Sequence, residues 1–397
     1  MLRTTLAAGV MTTLGALPVF LLSAQSVLVR QDLGLSEPQL GLAVSAFFAA
    51  GALTATTAGA VAERFGRRTS TVAAGCLTFS SALGIAVVAQ SYLPLLILLA
   101  VGGMANAALQ MTANVSVAQS VPRGRQGLAF GIKQSAVQVS ILLAGLAVPT
   151  VGVLAGWRWS YVGMAVAGIL IMLAGTRLPG QRGGTTRRAT AVDRPPRGAL
   201  VVSFVAMAFA SAAVNALGAF LPAWAYRVGL SPGDAGLLVA GASALSVLAR
   251  VVFGAAADRR QGRNLPVVAA QLVAGAAGLL LLSLAEVPFV IVGALLAFGI
   301  GWAWPGLLLF AVVRIGRDSP AAASGAIQAG AFTGGATGPV SFGLLVSVTG
   351  YPTAWTAATA AMLTAAALLL VARRMFLADL VRRPPRRPLD APTEPAD

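Results

Sequence analysis

The chain has 397 residues, of which 57% are hydrophobic and only 10% charged, whereas an average soluble domain is roughly 25% charged. That balance excludes an ordinary soluble domain and leaves an integral membrane protein, with room for about twelve spans of ~20 residues. The net charge of +16 is therefore read by location along the chain, and not as affinity for nucleic acid.

Continuous apolar runs predict helices at about 6–29, 38–62, 70–90, 93–119, 128–150 and 159–176. A second set follows at about 199–222, 233–253, 265–285, 289–312, 323–347 and 354–372. Runs of this length do not alternate as barrel strands do, so the expected fold is all-α, with twelve transmembrane helices in two six-helix repeats. The halves are residues 1–176 and 199–372. Residues 177–198, with six arginines, Gly183-Gly184 and Pro195-Pro196, are expected to form a cytoplasmic basic linker suited to anionic lipid. Residues 373–397, basic and then Pro-rich and acidic, read as a disordered cytoplasmic tail.

With a cytoplasmic N-terminus, only Arg30, Arg158 and Arg227 of the 28 Lys and Arg fall outside. The positive-inside rule then places both termini in the cytoplasm of a multi-pass cell-membrane protein. Arg3 followed by a long apolar run reads as a first span and not as a cleaved leader. Cys76, the single cysteine, lies in an apolar helix and permits no intramolecular disulfide.

The first cluster of charge is Gly59–Arg68, and it comes back. At an offset of 195, Gly59, Glu63, Arg64 and Arg68 fall on Gly254, Asp258, Arg259 and Arg263. Gly34-Leu35-Ser36 falls on Gly229-Leu230-Ser231 at the same offset. Gly131-Ile132-Lys133-Gln134 and Gly156-Trp157 pair with Gly325-Ala326-Ile327-Gln328 and Gly350-Tyr351 at offset 194. One unit was duplicated in parallel, which places a substrate site at the interface of the repeats near the bilayer midplane.

The turn Gly59–Arg68, including Gly66 and Arg67, resembles the Gly-x-x-x-Asp-Arg-x-Gly-Arg-Arg signature loop of the major facilitator superfamily, with Glu63 in place of the usual Asp. The resemblance covers about residues 5–372. It implies a permease working by alternating access. It also implies that Glu63 faces the start of helix 11 near Ala323 and Asp258 the start of helix 5 near Gly127, as a conformational lock. The Gly-Ile-Lys-Gln stretch resembles prokaryotic permeases of the cyanate/nitrate-related branches.

Polar side chains inside apolar runs face a cavity or a partner. On helix 4, Asn106, Gln110 and Asn114 recur every four residues and form one stripe, either a wall of the solute pathway or interhelical hydrogen bonding. Helix 5 carries Lys133, Gln134 and Gln138, and Lys133 is the one lysine of the chain. Its ammonium either faces the cavity and attracts an anion or snorkels to the headgroups. On helix 10, Trp302 and Trp304 flank a proline kink at Pro305 and suit a binding site or gate, or else lipid-facing packing. Gln25 and Asn215 are weaker candidates. The glycines around Gly338-Pro339 on helix 11 resemble the superfamily's helix 5 antiporter motif, placed on the repeat partner.

All twelve carboxylates fall in loops, tails or helix ends, and histidine is absent. That disfavours a proton relay with an acidic residue at mid-membrane. A membrane-embedded enzyme would need a nucleophile–base pair, a metal cluster or buried carboxylates, and none is present in the pattern. The expected function is secondary active transport of a small polar solute, an organic or inorganic anion. The alternative is a multidrug or metabolite efflux carrier. The solute and membrane lipid are the expected partners, with no nucleic acid and no cofactor, and the chain is expected to act as a monomer.

Overall fold

The computed structural model describes residues 2–120, 126–178, 196–257, 264–315 and 320–383, and twelve helices among them are long and apolar enough to cross a membrane. The first half holds α1 (Thr5–Ala24), α2 (Glu37–Ala55), α3 (Arg64–Val87), α4 (Tyr92–Asn114), α5 (Ile132–Ala155) and α6 (Trp157–Thr176). The second holds α7 (Arg197–Arg227), α8 (Pro232–Ala257), α9 (Asn264–Leu282), α10 (Val287–Val312), α11 (Ala323–Thr349) and α12 (Tyr351–Arg382). The all-helical fold is the one expected from the apolar runs. Residues 179–195 of the expected linker lie outside the described residues. The last helix does not stop at 372 but continues to Arg382, which corrects the expected start of a disordered tail. Phe376 is buried against the main apolar cluster there, and Asp379 pairs with Arg383 one turn on.

The repeated Gly-Leu-Ser has a physical cause. Gly34 and Gly229 both have positive φ (64° and 117°), a backbone that L side chains resist, and each closes one helix. The serine two residues later starts the next. Gln39 N–H donates to Ser36 Oγ (3.4 Å) and Asp234 N–H donates to Ser231 Oγ (3.1 Å), both as N-caps. Gly156 and Gly350, the other repeated pair, also have positive φ (99° and 85°). These four turns lie at one end of the bundle, termed distal. Gly66 lies at the opposite, linker end, where φ 77° and ψ 173° break the helix Glu37–Val87 into α2 and α3.

At the distal end the two halves close on each other. α2 runs antiparallel to α11, and a Cβ added to Gly41 would lie 2.3 Å from the Pro339 carbonyl oxygen. α5 meets α8 in the same way, with a Cβ on Gly145 falling 2.7 Å from the Gly236 carbonyl oxygen. Only residues without side chains allow backbones this near. Pro339 carries no N–H and disturbs the helix around it, and the next N–H, that of Val340, donates to Ser45 Oγ on α2 (3.1 Å).

The three arginines expected outside all sit at this closed end, and all bind acids. Glu37 takes Arg30 (2.9 Å) from its own half and Arg227 (2.8 Å) from the other half. Asp32 takes Arg158 and the Trp157 indole N–H. Arg227 also lies over the Tyr351 ring, 5.3 Å from its centroid. Glu37 is thus the carboxylate that ties the halves across the distal end.

Replacing Glu37 with Gln should loosen that tie by about 1 kcal/mol, roughly fivefold in a two-state population, since the pairs are partly exposed. In a Cys76→Ala background carrying a cysteine at Ser45, which is buried, maleimide labelling from the distal side should rise. Unchanged labelling would show that Glu37 does not help to hold this end shut.

Candidate functional site

The site is built around an interruption in α10. The helix Val287–Ala294 passes into a π-helical stretch, Leu295–Ile300, then loses helical form over residues 301–304 and restarts at Pro305. The kink expected at Pro305 is therefore a full break. Pro305 cannot donate to the preceding turn, and Gly301 lies so near α9 that a Cβ on it would fall 2.4 Å from Gly275 Cα. Broken helices inside a membrane persist only where protein or water satisfies their freed backbone groups.

Trp302 sits in this break at the meeting of the halves. Its ring is edge-on to Phe20 of α1 (centroids 6.4 Å) and tilted against Phe298 (4.7 Å). A Cβ on Gly218 of α7 would lie 3.2 Å from the indole. At the repeat offset of 195 Trp302 falls on Ala107, next to Asn106, whose Oδ1 lies 3.0 Å from the position of a Cβ on Gly15 of α1. Trp304 is fully buried in the apolar cluster, with its indole N–H unpaired.

The carbonyl of Trp302 accepts from Arg250 Nη2 on α8 (2.8 Å), and Arg250 Nη1 donates to the carbonyl of Gln134 on α5 (2.8 Å). Arg250 was not among the residues singled out from sequence, because it reads as one more basic residue near a linker-side helix end. A signal existed. Its counterpart at the repeat offset is Ala55, so the arginine belongs to one half only.

Lys133 is buried, at 4% exposure, and its Nζ donates to Gln110 Oε1 on α4 (2.8 Å). Its helix begins at Gln126, so Lys133 lies about two turns, ~10 Å, from that end. Arg250 lies as far from Ala257 on the antiparallel α8. The ammonium therefore points to a neutral amide inside the bundle. Among the described residues, neither cation has a carboxylate partner.

The structure brings Lys133 and Gln110 together at α4 and α5, and joins the backbone carbonyls of Gln134 and Trp302 through Arg250. Gln138 is fully buried with both amide atoms unpaired, and Asn106 Oδ1 is also unpaired. Gln25 lies in a turn after α1, buried and unpaired, against Gly152 of α5. Asn215 Nδ2 donates to the Ser211 carbonyl on its own helix (2.8 Å), and Asn114 is half-buried.

Of the expected lock, Asp258, Arg259 and Arg263 lie outside the described residues, as do the side chain of Glu63 and the surroundings of Gly59. Arg64 and Arg68 are exposed and Arg67 is half-buried, at the turn made by Gly66. Gly254 is exposed, with open space where a Cβ would stand.

A family model described as Major Facilitator Superfamily matches residues 4–202 and again 203–396. An uncharacterized MFS-type transporter of Mycobacterium tuberculosis is 28% identical over 342 residues, covering 81% of this chain and 72% of its own. Among solved structures, a D-xylose-proton symporter superposes with a TM-score of 0.77 at 17% identity, over 92% of this chain and 96% of its own. A bacterial homolog of the human lysosomal transporter Spinster, in an inward-facing and occupied conformation, gives 0.71 at 18% identity, over 95% and 97%. At these identities the two structures speak for the fold alone.

The Lys133–Gln110 contact makes a stability prediction. Gln110→Leu strands a buried ammonium and should cost about 1–3 kcal/mol, whereas Lys133→Met with Gln110→Leu should cost less than the two singles added. Thermal unfolding of the four proteins in detergent closes the cycle. Strict additivity would mean that the bond is not made.

Proposed function

Because the chain belongs to the Major Facilitator Superfamily, we propose that it carries a small polar solute, an organic or inorganic anion, by alternating access of its two halves. It is a multi-pass membrane transport protein and not an enzyme. The observation that carries the anion reading is Lys133, a buried cation held by a neutral amide with no acid opposite it among the described residues. A buried charge without a counter-charge is costly, and an incoming anion supplies the missing one.

In this proposal the linker end is cytoplasmic, the protein resides in the cell membrane as a monomer among lipid, and nucleic acid is not a partner. The distal end is the outer gate, closed as described. Glu63 and Asp258 form the inner lock, each carboxylate stabilised by a helix N-terminus of the opposite half by about 0.3–1 kcal/mol. An efflux carrier of drugs or metabolites is the second reading, favoured by the aromatic group of Phe20, Phe298 and Trp302 at the break in α10.

Uptake of a radiolabelled anion panel into proteoliposomes tests the first reading. Lys133→Gln should abolish uptake while leaving folded, monodisperse protein, and undiminished uptake would sink the role of Lys133. For the lock, Glu63→Gln should raise labelling of pathway cysteines from the linker side; if labelling stays the same, Glu63 is not part of a gate.

A further inference from the structure

Arg250, like Lys133, is an intramembrane charge among the described residues that the duplication does not account for, since its repeat position holds Ala55. It stands on α8, but the groups it holds belong to both halves: the Gln134 carbonyl of α5 and the Trp302 carbonyl of α10, each at 2.8 Å. Its Nε is buried and has no partner. The guanidinium has five N–H donors and two are used, both on neutral oxygens.

The two carbonyls differ in their need. Trp302 lies in the break, so its oxygen is one that the helix left open. Gln134 lies inside a continuous helix, Gln126–Ala147, where its carbonyl has an ordinary ladder position. Satisfying the break therefore explains one of the two contacts. What remains is a planar fork with its two Nη groups turned to two oxygens from opposite halves, at the depth of Lys133. These two Nη groups are the pair of donors that a carboxylate can take bidentately. Charge-assisted bonds of this kind are about twice as strong as bonds between neutral groups, so an oxoanion would outcompete the carbonyls.

We propose that Arg250 is a binding residue for the solute, that the solute bears a carboxylate or another planar oxoanion group, and that this group takes the guanidinium from the Gln134 and Trp302 carbonyls. Exchange removes the tie from α5 to α8 and α10, so occupancy of the site and the relation of the halves are linked by one side chain. The inference rests on the anion reading above and narrows it from any anion to a planar oxoanion.

The test uses the full chain in proteoliposomes with radiolabelled lactate, nitrate and phosphate. Wild-type protein should take up lactate or nitrate and leave phosphate. Arg250→Lys, which keeps the charge and loses the fork, should raise the KM for that anion at least tenfold. If the wild type moves none of the three, the anion reading falls and takes this inference with it. If the wild type moves lactate or nitrate and Arg250→Lys keeps its KM, the role of Arg250 falls and the anion reading stands. Should Arg250→Lys fail to fold, phenylglyoxal modification of the wild type, read by peptide mass spectrometry, decides the matter. The transported anion should protect Arg250 and leave Arg158 unchanged, and equal modification of Arg250 with and without it would overturn the assignment.

Discussion

In hydrocarbon every backbone N–H and carbonyl must find a partner inside the protein, and this structure follows from where that rule is strained. An unbroken α-helix meets it alone. Two of the helices that depart from regularity at the interface of the halves, α10 at Trp302 and α11 at Pro339, cannot. The second half receives help from the first at Pro339, where Ser45 accepts the Val340 N–H. At the break in α10 the donor is Arg250, which binds the Trp302 carbonyl and at the same time a carbonyl of the first half. At these two positions a helix irregularity is also a contact between the halves.

Charge follows a related logic. At the distal end arginines meet acids, and Glu37 is shared between Arg30 and Arg227 so that the closed end is neutralised locally. Among the described residues, Lys133 and Arg250 deeper in the bundle meet only amide and carbonyl oxygens. Neutral oxygens solvate a cation without cancelling it, which leaves a field that favours anions in a region of low dielectric. The distal end is thus compensated by acids, whereas the two deeper cations are held by neutral oxygens.

The duplicated features form the scaffold, and the two intramembrane cations depart from the repeat. The Gly-Leu-Ser turns, the glycines of positive φ and the helix pattern recur in both halves. Lys133 has Ile327 at its repeat position and Arg250 has Ala55, so neither cation is duplicated. In the proposed function the symmetric parts form the frame and the rocking interface, and the two asymmetric cations give that interface its preference for anions.

Much of this was legible in the residues. Apolar runs determined the twelve spans, because helix length and hydropathy are local properties set by the bilayer. The repeat offsets determined the two halves and the turns, because a positive φ and an N-cap each depend on a residue or two. The extent of α12 was not legible, since Phe376 extends the helix only by packing on distant residues. Nor could spacing tell whether Lys133 snorkels or meets Gln110, or that Arg250 crosses to Gln134 and Trp302. Those pairings join residues 23, 116 and 52 positions apart. Sequence by itself determined a duplicated twelve-helix membrane protein with its charges sorted by end. Only the tertiary structure decided which of those charges face neutral oxygens, because a side chain's partner is set by how helices pack and not by the helix that carries it.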